Sequence, residues 1–323
     1  MSSLFRVVST FSGCGGSSLG YRLAGGEVLL AVEWDDNAAA TYKANFPGTP
    51  VYHGDIANLT VEECLRLAGL QAGELDILDG SPPCQGFSTA GERRFGDERN
   101  QLFREYVRLL RGLQPRAFVM ENVSGMVKGK MKVLFAEILR ELRACGYRVS
   151  ARLLNAAWFG VPQARERLIF IGVREDLGVE PSHPRPRGRP QTAREALEGV
   201  AAGDPPCMLS GLALKVWLKT PPGGSFDKHH PKGHWFNAAK LDPNKPAPTI
   251  TKTVFPRGQG GIFHWRYPRI LTIPELKRLS TFPDDFQFFG KFREQWARIG
   301  NAVPPNFMRA IAEHVYRYIL SRV

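Results

Sequence analysis

Residues 6–20 read RVVSTFSGCGGSSLG. A β-rich run, RVVSTF (6–11), passes without a break into FSGCGGSSLG (11–20), and a helix candidate follows. Glycines 13, 15 and 16 permit a tight turn and let a ligand lie against bare backbone. Such a loop alone serves a phosphate, a nucleoside or a plain turn equally well. The surrounding chain must decide between them.

Working outward, the same alternation repeats. EVLLAVEW (27–34), PVYHGDI (50–56), LDILDG (75–80), RAFVMENV (116–123), YRVSARLLN (147–155) and RLIFIGV (167–173) are strand candidates. NQLFREYVRLLRGL (100–113) and MKVLFAEILRELRACG (131–146) carry helical periodicity. In the second, Val133, Leu134, Ile138 and Leu142 are expected on one face, with Gly146 as the stop. Strands alternating with helices predict an α/β fold whose largely parallel sheet is covered on both faces. The texture changes near residue 178. EPSHPRPRGRP (180–190) and PPGGSFDKHHPKGHWF (221–236) are loop-like. The expected organisation is therefore an α/β domain over 1–177, a smaller irregular domain over 178–268, and a return to helix over 269–323. In the last segment Met308, Ile311, Val315 and Ile319 form an apolar stripe suited to plain helix packing.

Hydrophobic residues make up 43% of the 323 and charged residues 23%, as in ordinary globular proteins. No apolar run reaches the roughly 20 residues of a membrane helix, and the amino terminus shows no secretion signal. The five cysteines (14, 64, 84, 145, 207) are scattered without a CxxC pair. That spacing speaks against a disulfide framework or zinc site and for a reducing, cytoplasmic setting. A net charge of +12 suits a polyanionic partner, nucleic acid first, although a basic surface need not bind anything.

Two acidic strand ends add to the glycine loop. Glu33, followed by Trp34, ends the second strand, where a carboxylate can hold a ribose diol and the indole can stack on a purine. Asp55, in GDI (54–56), ends the third, within reach of an adenine amino group. Either acid alone could equally be a helix cap. Together with the loop they outline one crevice at the carboxyl edge of the sheet. The loop has no basic residue and no GxxxxGK[ST], so a nucleoside without phosphates fits better than NAD or ATP. S-adenosyl-L-methionine is such a molecule.

The fourth strand runs into DGSPPCQGFST (79–89). Prolines 82 and 83 end it, because they cannot donate to a ladder. That leaves Cys84 on a stiff loop as a nucleophile, a redox or metal thiol, or a small packed residue. The fifth strand ends in MENV with Glu121. QARERL (163–168) offers Gln163, Arg165 and Arg167, which share a face if the segment is extended.

FSGCGG, EW, GDI, SPPCQGFS, ENV, QARER, RILTIPELKRLSTFPDDF and IGNAVPP occur in this order. Their ordered set resembles the DNA (cytosine-5)-methyltransferases over almost the whole chain except about 178–245. The resemblance implies a Rossmann-like methyltransferase sheet plus a small target-recognition domain. It also implies methyl transfer from S-adenosyl-L-methionine, leaving S-adenosyl-L-homocysteine, to a cytosine flipped out of double-stranded DNA. Cys84 is then the nucleophile for carbon 6, Glu121 the proton donor at ring N3, and Arg165 or Arg167 the holder of the base's O2. Phe11, Ser12, Gly13, Gly15, Gly16, Glu33, Trp34, Asp55, Ile56, Pro83, Leu102, Asn301 and Val303 are implied to border the cofactor. Gln85, Ser88, Arg99, Gln163, Lys232, Lys252 and Arg257 are implied to face DNA, with STAGERRFGDERN (88–100) as a closing loop. His229, His230 and His234 would add donors to the recognition region. A metal there is disfavoured by the spacing.

A monomer is expected, with a cognate restriction endonuclease acting independently if there is one, and no membrane partner. Asp79 departs from the apolar residue usual at its position and would raise the Cys84 thiol's pKa. Ser81 and Ser280 depart from glycine and glutamine. Two other readings stay open. A tRNA-methylating branch of the family carries a Cys-Phe-Thr element absent here, since Met208 follows Cys207. A non-catalytic DNA-binding module would not need the Cys84, Glu121 and QARER set.

Overall fold

In the computed structural model, residues 3–83, 101–127, 131–201, 203–233, 235 and 237–323 are described. The first apolar run forms β1 (Phe5–Thr10), and the glycine loop leads into α1 (Gly16–Leu23). Then follow β2 (Gly26–Glu33), α2 (Asp36–Asn45), β3 (Val51–His53), α3 (Val61–Ala68) and β4 (Ile77–Gly80). After them come α4 (Gln101–Leu113), β5 (Ala117–Val123), α5 (Lys132–Arg143), β6 (Tyr147–Asn155), β7 (Gln163–Ala164) and β8 (Glu166–Arg174). Local chemistry sets several limits. The Asp35 side chain accepts from Ala38 N to start α2, Thr60 accepts from Glu63 N to start α3, and Gly69 closes α3 in the left-handed region at φ 66°.

Seven strands join in the order β3-β2-β1-β4-β5-β8-β6. Pairing is parallel from β3 through β5, and β8 runs antiparallel to β5. Every residue of β4 and the first six of β5 are buried, which requires cover on both faces. The core on one side gathers Val8, Leu78, Tyr106, Leu110, Phe118 and Phe170. The α/β sheet expected from the alternation is thus present.

Two details differ. Val133 is 64% exposed, while Leu134, Ile138 and Leu142 are buried. Val133 lies one residue, about 100°, off the row made by the other three, so α5 turns it to solvent. The QARER run is also not one extended strand. Arg165 N donates to Gln163 O at 2.9 Å, a tight turn that separates β7 from β8.

The chain divides into two compact units. Met1–Leu154, Glu166–Arg185 and Met308–Val323 form the first, Asn155–Arg165 and Pro186–Phe307 the second. Against the expected 178–268, the second unit adds 155–165 and 269–307, while 178–185 belong to the first. It contains α6 (Ala193–Leu197), α7 (Gly211–Lys219), β9 (Asn237–Lys240), β10 (Ala247–Pro248), β11 (Gly260–Phe263), α8 (Ile273–Leu279) and α9 (Phe292–Asn301). Among the described residues its strands pair as β11 with β9 and β10 with β7, with isolated bridges such as Ser225 to Ala239 and Phe263 to Ile270. The last helix, α10 (Pro305–Tyr318), begins in the second unit and continues in the first, where Met308, Ile311 and Val315, with Ile319 beyond its end, are fully buried.

Gly80, at the end of β4, has no room for a side chain. A Cβ there would stand 2.5 Å from Thr10 Oγ1 and 2.6 Å from a ring carbon of the fully buried Tyr106. Overpacking of this kind costs about 1–3 kcal/mol. Gly80→Ala should lower the unfolding free energy by about that amount, seen as a lower urea midpoint with an unchanged slope. A midpoint equal to wild type would show that the layer yields freely.

Candidate active site

Because β3, β2, β1, β4 and β5 are neighbours and parallel, their carboxyl ends line one edge of the sheet. The chain runs from β1 outward to β3, then returns to the other side of β1 as β4. That reversal is the place where open α/β sheets bind ligands. Since β8 runs the other way, it brings its beginning, not its end, to the same edge.

On the cofactor side, Glu33 is 7% exposed and works on the backbone. Its Oε2 accepts from Gly13 N at 2.7 Å, and its Oε1 accepts from Trp34 N at 3.0 Å and Asp35 N at 2.9 Å. The carboxylate thus fixes the glycine loop to the end of β2. Ser12 N also donates to Val32 O at 3.1 Å. A Cβ built on Gly13 would meet nothing within 4 Å, so this stretch of backbone faces open space. Gly15 is the opposite case: its φ is 92° and a Cβ would stand 2.3 Å from the Phe46 ring. Gly16 and Ser12 are buried, and Phe11 and Leu102 are half-buried against the core.

Trp34 is 76% exposed, an indole face free to take a flat ring. Asp55 is exposed and caps a single 3-10 turn, Ile56–Asn58, by accepting from Ala57 N at 2.9 Å. The bland reading of Asp55 as a cap is therefore realised, with one carboxylate oxygen used. Ile56 is buried beneath it. An open backbone loop, an exposed indole and two carboxylates, with no cation in the loop, fit a neutral or cationic nucleoside rather than a polyphosphate.

On the catalytic side, Glu121 Oε1 lies 2.6 Å from Arg167 Nε, with both side chains largely buried. Arg167 also donates to Glu166 O at 2.7 Å. Register explains the meeting. Val123 of β5 pairs with Arg167 of β8, and Glu121 lies two residues back along the same face. Asn122, which the sequence reading passed over, donates from its side chain to Pro82 O at 3.2 Å, while its Oδ1 accepts from Val123 N at 2.8 Å. It ties the ENV strand end to the SPP segment. The signal was available, because a buried amide at a strand end needs a partner. Pro83 is half-buried. Cys84, Gln85, Ser88 and Arg99 lie outside the described residues, as does the 88–100 loop.

The other QARER side chains belong to the second unit. Gln163 was expected at DNA but is 1% exposed. Its Nε2 donates to Ser280 Oγ at 3.2 Å and its Oε1 accepts from Ile250 N at 3.1 Å, so its amide is spent on internal ties. Arg165 is 2% exposed and donates to Ile250 O at 3.0 Å. The shared face expected for residues 163, 165 and 167 is not formed, because the turn at Arg165 intervenes. Lys232, Lys252 and Arg257 are exposed, as is Asn301, the last residue of α9, whereas Val303 is buried. His229 and His230 sit beside Lys232, and His230 packs against the ring of Trp235. His234 lies outside the described residues.

The effect expected of Asp79 on Cys84 falls outside the described residues, whereas Asp79 itself lies within them. It is 2% exposed, and its two oxygens accept from Ser9 Oγ at 2.8 Å and Tyr21 Oη at 3.1 Å. Burial pushes its carboxyl up from the usual carboxylate range to about 7, against the pull of those two hydroxyls.

The model of the C-5 cytosine-specific DNA methylases matches residues 5–203 and 223–317. The chain belongs to that family. It is 37% identical to the type II methyltransferase M1.HphI of Haemophilus parahaemolyticus, with 96% of this chain and 86% of the relative aligned. It is 34% identical to M.NgoFVII of Neisseria gonorrhoeae over the same shares. Among solved structures, a protein described as a DNA modification methyltransferase of an Escherichia coli prophage superimposes with a TM-score of 0.80 at 25% identity, covering 98% of this chain and 99% of that one. The Dnmt2 methyltransferase of Schizosaccharomyces pombe gives 0.69 at 21% identity over 98% and 99%, which speaks to the fold alone. In this chain the β5–β8 pairing brings Glu121 and Arg167 to the carboxyl edge, with Glu121 on the strand two places from β1.

Breaking a buried ion pair by removing one partner costs about 3–5 kcal/mol, because the other charge is stranded. Arg167→Met should therefore destabilise the protein by roughly that much, and Glu121→Gln by less. A double-mutant cycle in urea should return a coupling of about 1–3 kcal/mol. Strict additivity would show that the pair contributes nothing.

Proposed function

We propose that the chain transfers a methyl group from S-adenosyl-L-methionine to carbon 5 of a cytosine turned out of a short, specific sequence in double-stranded DNA. A transient bond between Cys84 and carbon 6 carries the reaction. The observation that supports it most directly is the Glu121–Arg167 pair at the edge of the sheet, one strand from the segment that leads into Cys84. The basic balance of the chain, +12, suits the DNA partner. The names of the type II relatives favour a modification enzyme; in this reading it acts in the bacterial cytosol as a monomer, with any endonuclease working independently.

Carbon 5 of cytosine is too weak a nucleophile to take a methyl group unaided. Addition of the Cys84 thiolate at carbon 6 moves the ring's electron pair toward carbon 5 and N3. Glu121 supplies a proton at N3 as that charge develops, and Arg167 holds the carboxyl in line to do so. The bound cofactor contributes an electrophilic methyl group. The proton on carbon 5 then leaves to a base, the C5–C6 double bond reforms, the Cys84 sulfur departs with its electron pair, and N3 returns its proton to Glu121. Trp34, Asp55 and the open backbone at Gly13 hold the nucleoside, and Glu33 holds the loop that presents it. Asn122 steadies the SPP segment ahead of Cys84. Unstacking the target base costs a few kcal/mol. Lys232, Lys252 and Arg257, exposed on the second unit, give donors for phosphates and base edges that offset this.

Bisulfite sequencing of DNA from bacteria expressing the chain should reveal one short methylated motif. With a duplex carrying 5-fluorocytosine in that motif, which has no removable proton at carbon 5, the wild type should form an adduct that survives denaturation. Cys84→Ser should bind the duplex without an adduct and without turnover. Methylation retained by Cys84→Ser would overturn the covalent route.

A further inference from the structure

Five carboxyl side chains are buried among the described residues: Glu33, Asp76, Asp79, Glu121 and Glu275. Four have strong compensation. Asp76 lies by Arg6 and Arg116, Glu121 by Arg167, Glu275 by Arg269, and Glu33 accepts three backbone N–H groups. Among the described residues Asp79 is met by two neutral hydroxyls, those of Ser9 and Tyr21. A buried carboxylate so weakly compensated is a cost that ordinary packing would avoid, because an apolar strand residue would fill the same place.

Its position is informative. Asp79 pairs with Ser9 across β1 and β4, the two strands between which the chain reverses. Thr10 Oγ1 adds a bond of 2.9 Å to the Asp79 carbonyl. Tyr21 belongs to α1, the helix that the glycine loop starts, and its ring is fully buried against Phe5. One side chain thus joins the strand before the glycine loop, the helix after it, and the strand that leads to Pro82 and Pro83.

We propose that Asp79 is a positioning residue that registers the glycine loop and its helix against β4, and so sets how tightly the loop holds the nucleoside cofactor. This rests on the cofactor reading given above. Hydroxyls suit the task because each can donate to a carboxylate or accept from a carboxylic acid, so the contact survives both protonation states at different strength. The ionised form accepts from both hydroxyls and holds them harder. The other titratable groups around Asp79 are Tyr21 of α1, Tyr42 of α2, Tyr106 of α4 and Glu121 of β5. The tyrosines titrate well above neutral, and Glu121 opposes ionisation of Asp79.

Two pH trends of opposite sign follow. The folded Asp79 carboxyl titrates near 7, above its ordinary 3.8. Its protonated form therefore contributes stability that is complete below the ordinary value and is lost as pH rises through about 7. Cofactor affinity should move the other way, because the tighter grip on Ser9 and Tyr21 comes with ionisation.

The test uses the full chain as wild type, Asp79→Asn, Asp79→Leu and Tyr21→Phe. Melting without ligand and calorimetric binding of S-adenosyl-L-homocysteine are followed from pH 5.5 to about 8.5. Wild-type stability relative to Asp79→Asn should fall as pH rises to about 7 and then level off. Wild-type affinity should rise about threefold or more across the same window, and Asp79→Asn should lack that rise. Tyr21→Phe should weaken binding about threefold and Asp79→Leu about tenfold, with melting curves confirming that each is folded. Affinity that is independent of pH in the wild type, or equally dependent in Asp79→Asn, overturns the proposal alone. A wild type that does not bind S-adenosyl-L-homocysteine at all overturns the cofactor reading and the proposal with it.

Discussion

Everything at the candidate site depends on strand direction. Five neighbouring parallel strands deliver a glycine loop, two acids, a proline-stiffened loop and Glu121 to a single edge. A parallel strand after β5 would carry its cationic residues away from that edge. The reversed β8 instead starts there, and Arg167 arrives beside Glu121 because Val123 and Arg167 are register partners. A single antiparallel pairing therefore supplies the cation for the buried carboxylate. The rest of the edge could be assembled without it, but Glu121 would then be a stranded charge.

Most of the first unit was legible because burial on both faces leaves a strong mark. Runs such as RAFVMENV and RLIFIGV cannot face water on either side, and they became β5 and β8. The acids at the strand ends were legible for the converse reason, since polar residues at the limit of an apolar run have to be used by something. What each is used by was not legible. Glu33 was read toward a ligand, yet three backbone N–H groups from Gly13, Trp34 and Asp35 converge on it. A turn between residues 13 and 35 is a tertiary event that no local pattern encodes. Likewise Gln163 and Arg165 looked like an alternating polar face. Their partners, Ile250 and Ser280, lie 85 or more positions away.

The second unit was hard to read because it has little periodicity to offer. Its pairings are short, β9 with β11 and β7 with β10, and side chains carry much of the load. Lys240 is buried with Nζ 3.1 Å from Trp217 O and 3.0 Å from Thr220 O, while its charge sits 3.6 Å from the Trp217 ring centre. The segment bearing Lys252 and Arg257 is pinned to α9 by Trp296 Nε1, which donates to Thr251 O at 2.9 Å. Gly300 of IGNAVPP belongs to the same joint. A Cβ there would stand 2.5 Å from Thr251 O and 2.8 Å from Lys252 N. Part of what makes IGNAVPP recognisable is thus steric: glycine is needed where a helix meets the backbone of another loop.

The glycine loop carries strain in a residue that is not a glycine. Phe11 lies at φ 53°, in the left-handed region that costs an ordinary side chain about 1–2 kcal/mol. Such a conformation persists only where neighbours over-determine it. Here they do so from both sides: β1 pairs up to Thr10 with Val32, and Ser12 N is held by Val32 O. The aromatic ring packs partly against the core, which a glycine at this position could not do. Swapping Phe11 for glycine would relieve the backbone and lose that packing, leaving the loop freer just where β1 ends and the open backbone of Gly13 begins. Strain at Phe11, the three-donor hold of Glu33 and the lack of room at Gly15 all act on one short turn. A loop pinned in this way gives up little further entropy when it closes on a ligand.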